Sequence, residues 1–445
     1  MESSSCATVN DNYTLAVTGA ANSLSGQPRP DTLAPPSTMT RIALLLVALT
    51  ITLSATAQEW PRFRGPNGSG IGVADIPAQW TPVNRKWSVK LPGVGHGSPV
   101  VSGDKVFLLG GDEATGRRTA ACLSAKDGRL LWQRDFDALA GKQHRLNSTA
   151  SSTPAVDAER AYFTWGTSQK LTVIAFTHDG KTAWEADLGP VKRQHGFGAS
   201  PILHDDLVIL SNDQESDGHL FALDRATGKV RWKLPRAENH SNYSTPCIYT
   251  PPAGKPQVVV VSWRLGATGV DAATGKQLWQ MPLFAPKQER AIGSPSTSGE
   301  FLIVNCAFTG GPKHVVVLKP GKEPGTMQEA WRMEKTVPHI PSPIIVGDRA
   351  YLWSDQGIVT CAKLATGEVV WSERVEGEFL GSPVCTGDKV FAVDKSGKVF
   401  AIAAGDKFQL LGSNALEALC QSTPAIAGGR MFVRTWSQLH CIGAK

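Results

Sequence analysis

A Ser-Pro or Thr-Pro pair followed by a short apolar run recurs eight times along the chain, and no other feature constrains the fold so tightly. The pairs are Ser98-Pro99, Thr153-Pro154, Ser200-Pro201, Thr245-Pro246, Ser294-Pro295, Ser342-Pro343, Ser382-Pro383 and Thr423-Pro424, at a mean spacing of about 46 residues. A proline at the head of a strand removes no ladder donor. The runs behind the pairs are alternating or wholly apolar and are bounded by Gly, Asp and Asn, as strands joined by tight turns require. Tryptophan is a second marker, at Trp87, Trp132, Trp184, Trp232, Trp279, Trp331 and Trp371, with Leu411 in the eighth place. Glycine stands four residues before several of them, at Gly128, Gly180, Gly228, Gly275 and Gly367. A third marker is a tight turn such as Gly103-Asp104-Lys105 or Gly387-Asp388-Lys389.

The two long series are out of phase at the ends. Trp87 precedes the first Ser-Pro pair, and the last unit stops at Cys441-Ile442-Gly443 with no Trp behind it. A ring accounts for this, because the strand around Trp87 then supplies the missing outer strand of the last unit. The expectation is an all-β, eight-bladed β-propeller of four-stranded antiparallel blades, a single domain over residues 58–445, closed by its N-terminal strand. The seven tryptophans are expected to pack between blades, so that truncating Trp232 to Ala would cost roughly 3–5 kcal/mol.

Hydrophobic residues make up 41% of the chain, ample for a large core, and the formal charge is +6 with no dense Lys/Arg block. A nucleic-acid surface is thereby excluded as an expectation. Near the amino terminus, Met39-Thr40-Arg41 leads into an apolar run ending at Ser54, then Ala55-Thr56-Ala57 and Gln58. A charge, a short apolar core and a small-x-small site compose a secretory signal. The run is too short for a membrane span of ~20 residues. Residues 39–57 are read as a signal peptide cleaved near Ala57-Gln58, delivering the chain to the periplasm or the medium. Residues 1–38 are read as a non-native or disordered extension, with Met39 as the start. Cys122, Cys361 and Cys441 fall at matching blade positions, which points to core packing, and the odd number after the signal leaves at least one thiol unpaired.

The unit Ala222-Leu-Asp224-Arg-Ala-Thr-Gly228-Lys-Val-Arg-Trp232 resembles the tryptophan-docking repeat of the pyrroloquinoline quinone (PQQ)-like propeller family, which includes quinoprotein alcohol dehydrogenases and BamB-like relatives. Trp60-Pro-Arg-Phe-Arg-Gly-Pro-Asn-Gly-Ser-Gly70 is similar to the opening of exported members. No Trp-Asp dipeptide ends a blade, which sets WD40 repeats aside. The resemblance implies the propeller, and for quinone-dependent members a PQQ over a Trp, calcium, an Asp base and adjacent cysteines. This chain has no adjacent cysteine pair, and no calcium-ligand motif can be matched to it. No catalytic residue and no cofactor is expected, with a PQQ- and calcium-dependent or other redox enzyme as the alternative.

Residues just before each Ser/Thr-Pro pair should ring one mouth of the channel. They include His96, His144, Arg145, Asn147, His195, His240, Asn242, Arg290 and His339. Five of the ten histidines thus fall on one rim beside several cations. Such a rim suits an anionic or hydrogen-bonding ligand. It equally suits staples between neighbouring loops, and metal ligation is a third reading. Asp213, Glu215 and Asp217 lie on a loop of the same face, readable as a solvated turn or as calcium ligands, although the spacing misses the EF-hand template. The function expected is that of an exported, monomeric, non-catalytic scaffold. It would dock a protein or an envelope polymer on this face, without an integral membrane span.

Overall fold

The computed structural model describes residues 59–237, 240–284, 290–308 and 311–444. The extension and the signal peptide read from residues 1–57 lie outside them. Eight four-stranded antiparallel sheets are arranged as the blades of a propeller, and no α-helix occurs among the described residues. Blade 1 contains Val100–Ser102, Lys105–Gly111, Arg118–Ser124 and Leu130–Phe136, counted from the channel outward. Blades 2 to 7 repeat the order over 155–187, 202–236, 247–281, 296–333, 344–374 and 384–415. Blade 8 takes three strands from residues 425–443 and its outer strand, Arg85–Lys90, from the other end of the chain, with Trp87 opposite Cys441. The phase mismatch of the two marker series is this closure.

Each marker has a structural cause. The Ser/Thr hydroxyl of one blade accepts a hydrogen bond from the backbone N–H of its counterpart in the blade before. The chain of bonds runs from Ser98 to Thr153 (2.9 Å), Thr153 to Ser200 (3.0 Å), Thr245 to Ser294 (2.9 Å), Ser294 to Ser342 (2.8 Å), Ser342 to Ser382 (3.0 Å), Ser382 to Thr423 (2.9 Å) and Thr423 back to Ser98 (2.9 Å). These small side chains rivet the innermost strands to one another where no sheet bond can reach.

The tryptophans do the same at the periphery. The indole N–H donates to a carbonyl of the next blade at Trp87→Ala125, Trp132→His178, Trp184→Arg225, Trp232→Ala272, Trp331→Leu364 and Trp371→Gly405. The ring lies on the glycine that precedes the next marker. A Cβ on Gly228 would sit 2.4 Å from the Trp184 ring, and its φ of +73° is one only glycine adopts without strain. Trp279 departs from the pattern and bonds Gln257 of its own blade at 2.6 Å. The corresponding turn of the next blade is the longer Pro320–Thr326 segment, which offers no glycine beneath the ring.

Trp132, Trp184, Trp279 and Trp331 are buried, whereas Trp87, Trp232 and Trp371 keep part of the ring in solvent. The cost expected for Trp232→Ala therefore drops below that of a fully buried aromatic, to about 1.5–3 kcal/mol. Chemical denaturation of this variant checks the figure, and a loss above 4 kcal/mol would mean that the ring is covered in solution. The cysteines from Cys122 to Cys441 are all buried free thiols. Burial pushes Cys122 and Cys247 up to about 12, so they act as small core residues rather than nucleophiles.

One element has no counterpart in the repeat. Residues 60–70 cross the channel instead of joining a blade. Trp60 bridges Val101 of blade 1 in both directions, and Pro61 O accepts from Val156 N of blade 2. Arg62 Nη2 donates to Pro246 O, and Asn67 exchanges bonds with the Ile248 backbone of blade 4. Arg64 donates to Ser296 Oγ of blade 5 and to Pro343 O beside blade 6. Ile71–Gly72 then adds a parallel strand to the inner edge of blade 7. The channel is plugged.

Candidate functional site

The plug turns the channel mouth into a cup of about 460 Å³, with Phe63 lining it from the plug and the Ser/Thr hydroxyl ring around its wall. That volume lies within the range of small-ligand cavities. Seven of the nine rim residues expected from sequence line it: His96, His144, Arg145, Asn147, His195, Arg290 and His339. The other two do not. Asn242 is buried, and its Oδ1 accepts from Ala291 N and Trp263 N, which makes it a staple between blades. His240 packs edge-on against Trp263, with ring centres 5.3 Å apart. Within the cup, Asn147 also serves as a staple, donating to His195 O at 2.6 Å. His144 and His195 meet edge to face at 5.1 Å.

Tyr243, Lys313, Asp355, Gln356, Glu378, Ile340, Leu380 and Phe308 complete much of the wall. Tyr243, Ile340 and Leu380 stand two residues before a Ser/Thr-Pro pair, as His96 does, and Tyr243 belongs to a rim segment read from sequence. Phe308, Lys313, Asp355 and Gln356 come from where second and third strands connect, and they carry no sequence marker. The acidic loop does not form a ligand set either. Asp213 is an internal ion-pair partner, its carboxylate held by Arg236 with both side chains only 1% exposed. Glu215 accepts from the Gln194 backbone, and Asp217 caps the turn with φ at +52°. The Asp213 carboxylate thus stands in the interior rather than in a solvated turn. No group of three or more His, Cys, Asp or Glu that could hold a metal occurs among the described residues.

The electrostatics of the cup are one-sided. Arg145, Arg290 and Lys313 line it without an ion-pair partner among the described residues. Its two carboxylates are already engaged: Asp355 accepts from the His339 and Ile340 N–H groups at 2.7 and 3.1 Å, and Glu378 pairs with Lys395 at 2.9 Å. Below, Arg62 and Arg64 are buried with only neutral oxygen acceptors, and burial pushes them down to about 10 and about 9. Arg434 is fully buried too, donating to Gly97 O and Leu109 O, and is pushed down to about 9. At neutral pH these guanidinium groups remain charged, so the mouth sits above a positive interior.

The histidines respond to that field. Burial first, then Arg434, pushes His96 down to about 3. Burial first, then Arg290 and His144, lowers His195. Burial also lowers His339, with Lys313 and Arg290 adding to it against the opposite pull of Asp355. A histidine depressed on folding contributes stability above its unfolded value near 6.5 and loses it as pH falls toward the folded value. Acidification from pH 7 to 4.5 is expected to remove on the order of 1–3 kcal/mol through His96 alone. His96→Gln should flatten that part of the pH profile of the urea midpoint. An unchanged profile would show that His96 takes up its proton in the folded state.

An eight-bladed ring, a plug and PQQ-like repeats together define a PQQ-like propeller. The chain belongs to the PQQ_2 family, described as outer membrane protein assembly factor BamB, whose profile matches residues 83–246 and 313–437. It is 25% identical over 244 residues to a polyvinylalcohol dehydrogenase of a Pseudomonas species, a match covering 52% of this chain and 33% of that protein. BamB from Moraxella catarrhalis superposes with a TM-score of 0.58 at 16% identity, over 80% of this chain and 96% of that one. A europium-containing methanol dehydrogenase gives 0.53 at 11% identity, over 87% and 91%. At these identities the structural likeness concerns the fold. No helix among the described residues is long and apolar enough to cross a membrane.

Proposed function

We propose that this chain is an exported, non-catalytic scaffold that docks a protein or an envelope polymer through the face bearing the cup. The observation that carries this reading is the set of three cations, Arg145, Arg290 and Lys313, with no ion-pair partner among the described residues, around a mouth whose carboxylates are already engaged. Such a surface favours a partner that presents negative charge. Membership of a family described by an assembly factor supports a protein partner, and the signal read at residues 39–57 supports export.

A second reading, a quinone-dependent enzyme, draws support from the polyvinylalcohol dehydrogenase match. The cationic cup would suit the carboxylates of PQQ. The rest of the lining fits less well: the plug presents Phe63 rather than a Trp, and Asp355, the aspartate of the lining, is held by two backbone N–H groups. No step is derived through the quinone.

The test is capture of partners from an envelope extract by the wild-type chain and by Arg145→Ala/Arg290→Ala/Lys313→Ala. A partner held by the wild type should fall at least tenfold with the triple variant, and high salt should weaken capture by the wild type and narrow that gap. Equal capture by both would remove the cup from the account. Reduction of an artificial dye by the protein with PQQ and calcium would install the enzyme reading instead.

A further inference from the structure

The hydroxyl ring that rivets the blades has one break. Seven of its eight links are made, but the Ser200 N–H does not reach Thr245 Oγ1 and has no other acceptor among the described residues. Both residues are at least 97% buried and both line the cup. The break lies between blades 3 and 4, and the neighbouring groups are donors too. The Tyr243 hydroxyl is buried beside the Ser241 hydroxyl, and neither makes a hydrogen bond of standard geometry. The Tyr243 ring borders this gap, since a Cβ on Gly198, two residues before Ser200, would stand 3.4 Å from its Cδ1. Burial raises the phenol, so it keeps its proton and donates. The Arg290 charge acts on the phenol as well, and the backbone N–H groups of Tyr243 and Ser244 bond the O of Ala291, the next residue, at 2.8 and 3.1 Å.

The phenol is also fixed in place. Arg193 lies over the Tyr243 ring at 5.5 Å and over Phe197 at 4.9 Å. Its own guanidinium is anchored to Asn242 O and Asn212 Oδ1, at 3.1 and 2.9 Å. The gap therefore gathers a backbone N–H, two hydroxyls and a guanidinium, and the one carboxylate that acts on Tyr243, Glu215, already accepts from Gln194 N. Buried donors left unpaired are costly, and a carboxylate oxygen pair satisfies several at once.

We propose that the break between blades 3 and 4 is an anchoring subsite for a carboxylate, and that the group it takes is the free C-terminus of a peptide. The apolar side chains around the same cup, Leu146, Ile292, Ile340, Leu380 and Phe308, suit the side chains of a peptide end rather than the hydroxyls of a saccharide. Capture of a chain-terminal carboxylate by convergent donors is an established mode of peptide recognition. The inference rests on the reading of this face as the docking surface and names what enters it.

The experiment exposes the immobilised protein to a random tetrapeptide mixture with free C-termini, to the same mixture amidated, and to an oligomer of galacturonic acid. Free-acid peptides should be retained, the amides at least tenfold less. Tyr243→Phe and Arg290→Gln should each weaken retention about tenfold, with Arg290→Lys recovering part of it. Melting temperatures within a degree or two of the wild type show that these variants are folded. Equal retention of acids and amides, retention of neither, indifference to both variants, or retention of the uronate in place of peptides would each overturn the proposal. If no peptide is retained while the triple cation variant still loses its envelope partner, the subsite falls and the docking face stands. If that capture is also unaffected, the docking face falls with it.

Discussion

Replacing Trp60 by alanine is expected to destabilise the protein by about 3–5 kcal/mol, the range for a wholly buried large aromatic. Trp60 is 0% exposed, bridges Val101 through both backbone groups, and covers Gly65 so closely that a Cβ there would lie 2.6 Å from its ring. It fixes the point where the plug enters, so the loss should spread beyond its own cavity. Residues 61–72 would detach from the inner strands they bond, and Phe63 would leave the cup. Two measurements check this: the guanidinium midpoint should drop, and limited proteolysis should cut within residues 61–72 in the variant alone. A change under 1 kcal/mol with no new cut would mean that the ring of blades holds without its plug.

The plug is also where sequence reasoning stopped. The blades were legible because their signals are periodic and each has a local cause. A hydroxyl must meet the next blade's N–H, a Trp must lie on a glycine, and a two-residue turn needs positive φ at Gly103 or Gly387. Closure was legible for the same reason, from a mismatch between two periods. Residues 60–72 carry no period, and their contacts lie far along the chain, with Arg64 reaching Pro343 and Gly70 reaching Cys385. The rim was half legible. Position before a Ser/Thr-Pro pair located His96, His195 and Arg290, but it said nothing of whether a side chain turns into the cup or away from it. Asn242 turns away to staple Ala291 and Trp263. Lys313 and Asp355 enter the cup from the loops after the second strand, which that rule does not cover.

Asp213→Ala is expected to cost a further large amount, about 3–5 kcal/mol, because it strands a charge rather than removing a contact. The Arg236 guanidinium and the Asp213 carboxylate face each other through two bonds of 2.5 and 3.3 Å, both side chains 1% exposed. The acidic run Asp213, Glu215 and Asp217 reads in sequence as one feature, yet burial divides it. Asp213 neutralises an arginine inside blade 3, whereas the Glu215 carboxylate accepts from Gln194 N and Asp217 engages Gln214 and His219 through its backbone carbonyl. The single variant should therefore be much worse than the pair Asp213→Leu/Arg236→Met, in which no charge is left behind and apolar volume fills the site. Urea denaturation of the four chains of this cycle gives the coupling directly. Calcium at millimolar concentration should leave the wild-type midpoint unchanged, whereas calcium-dependent stabilisation lost in Asp213→Ala would return the loop to the metal reading. A double variant as unstable as the single one would show that Asp213 holds blade 3 by its shape and backbone rather than by its charge.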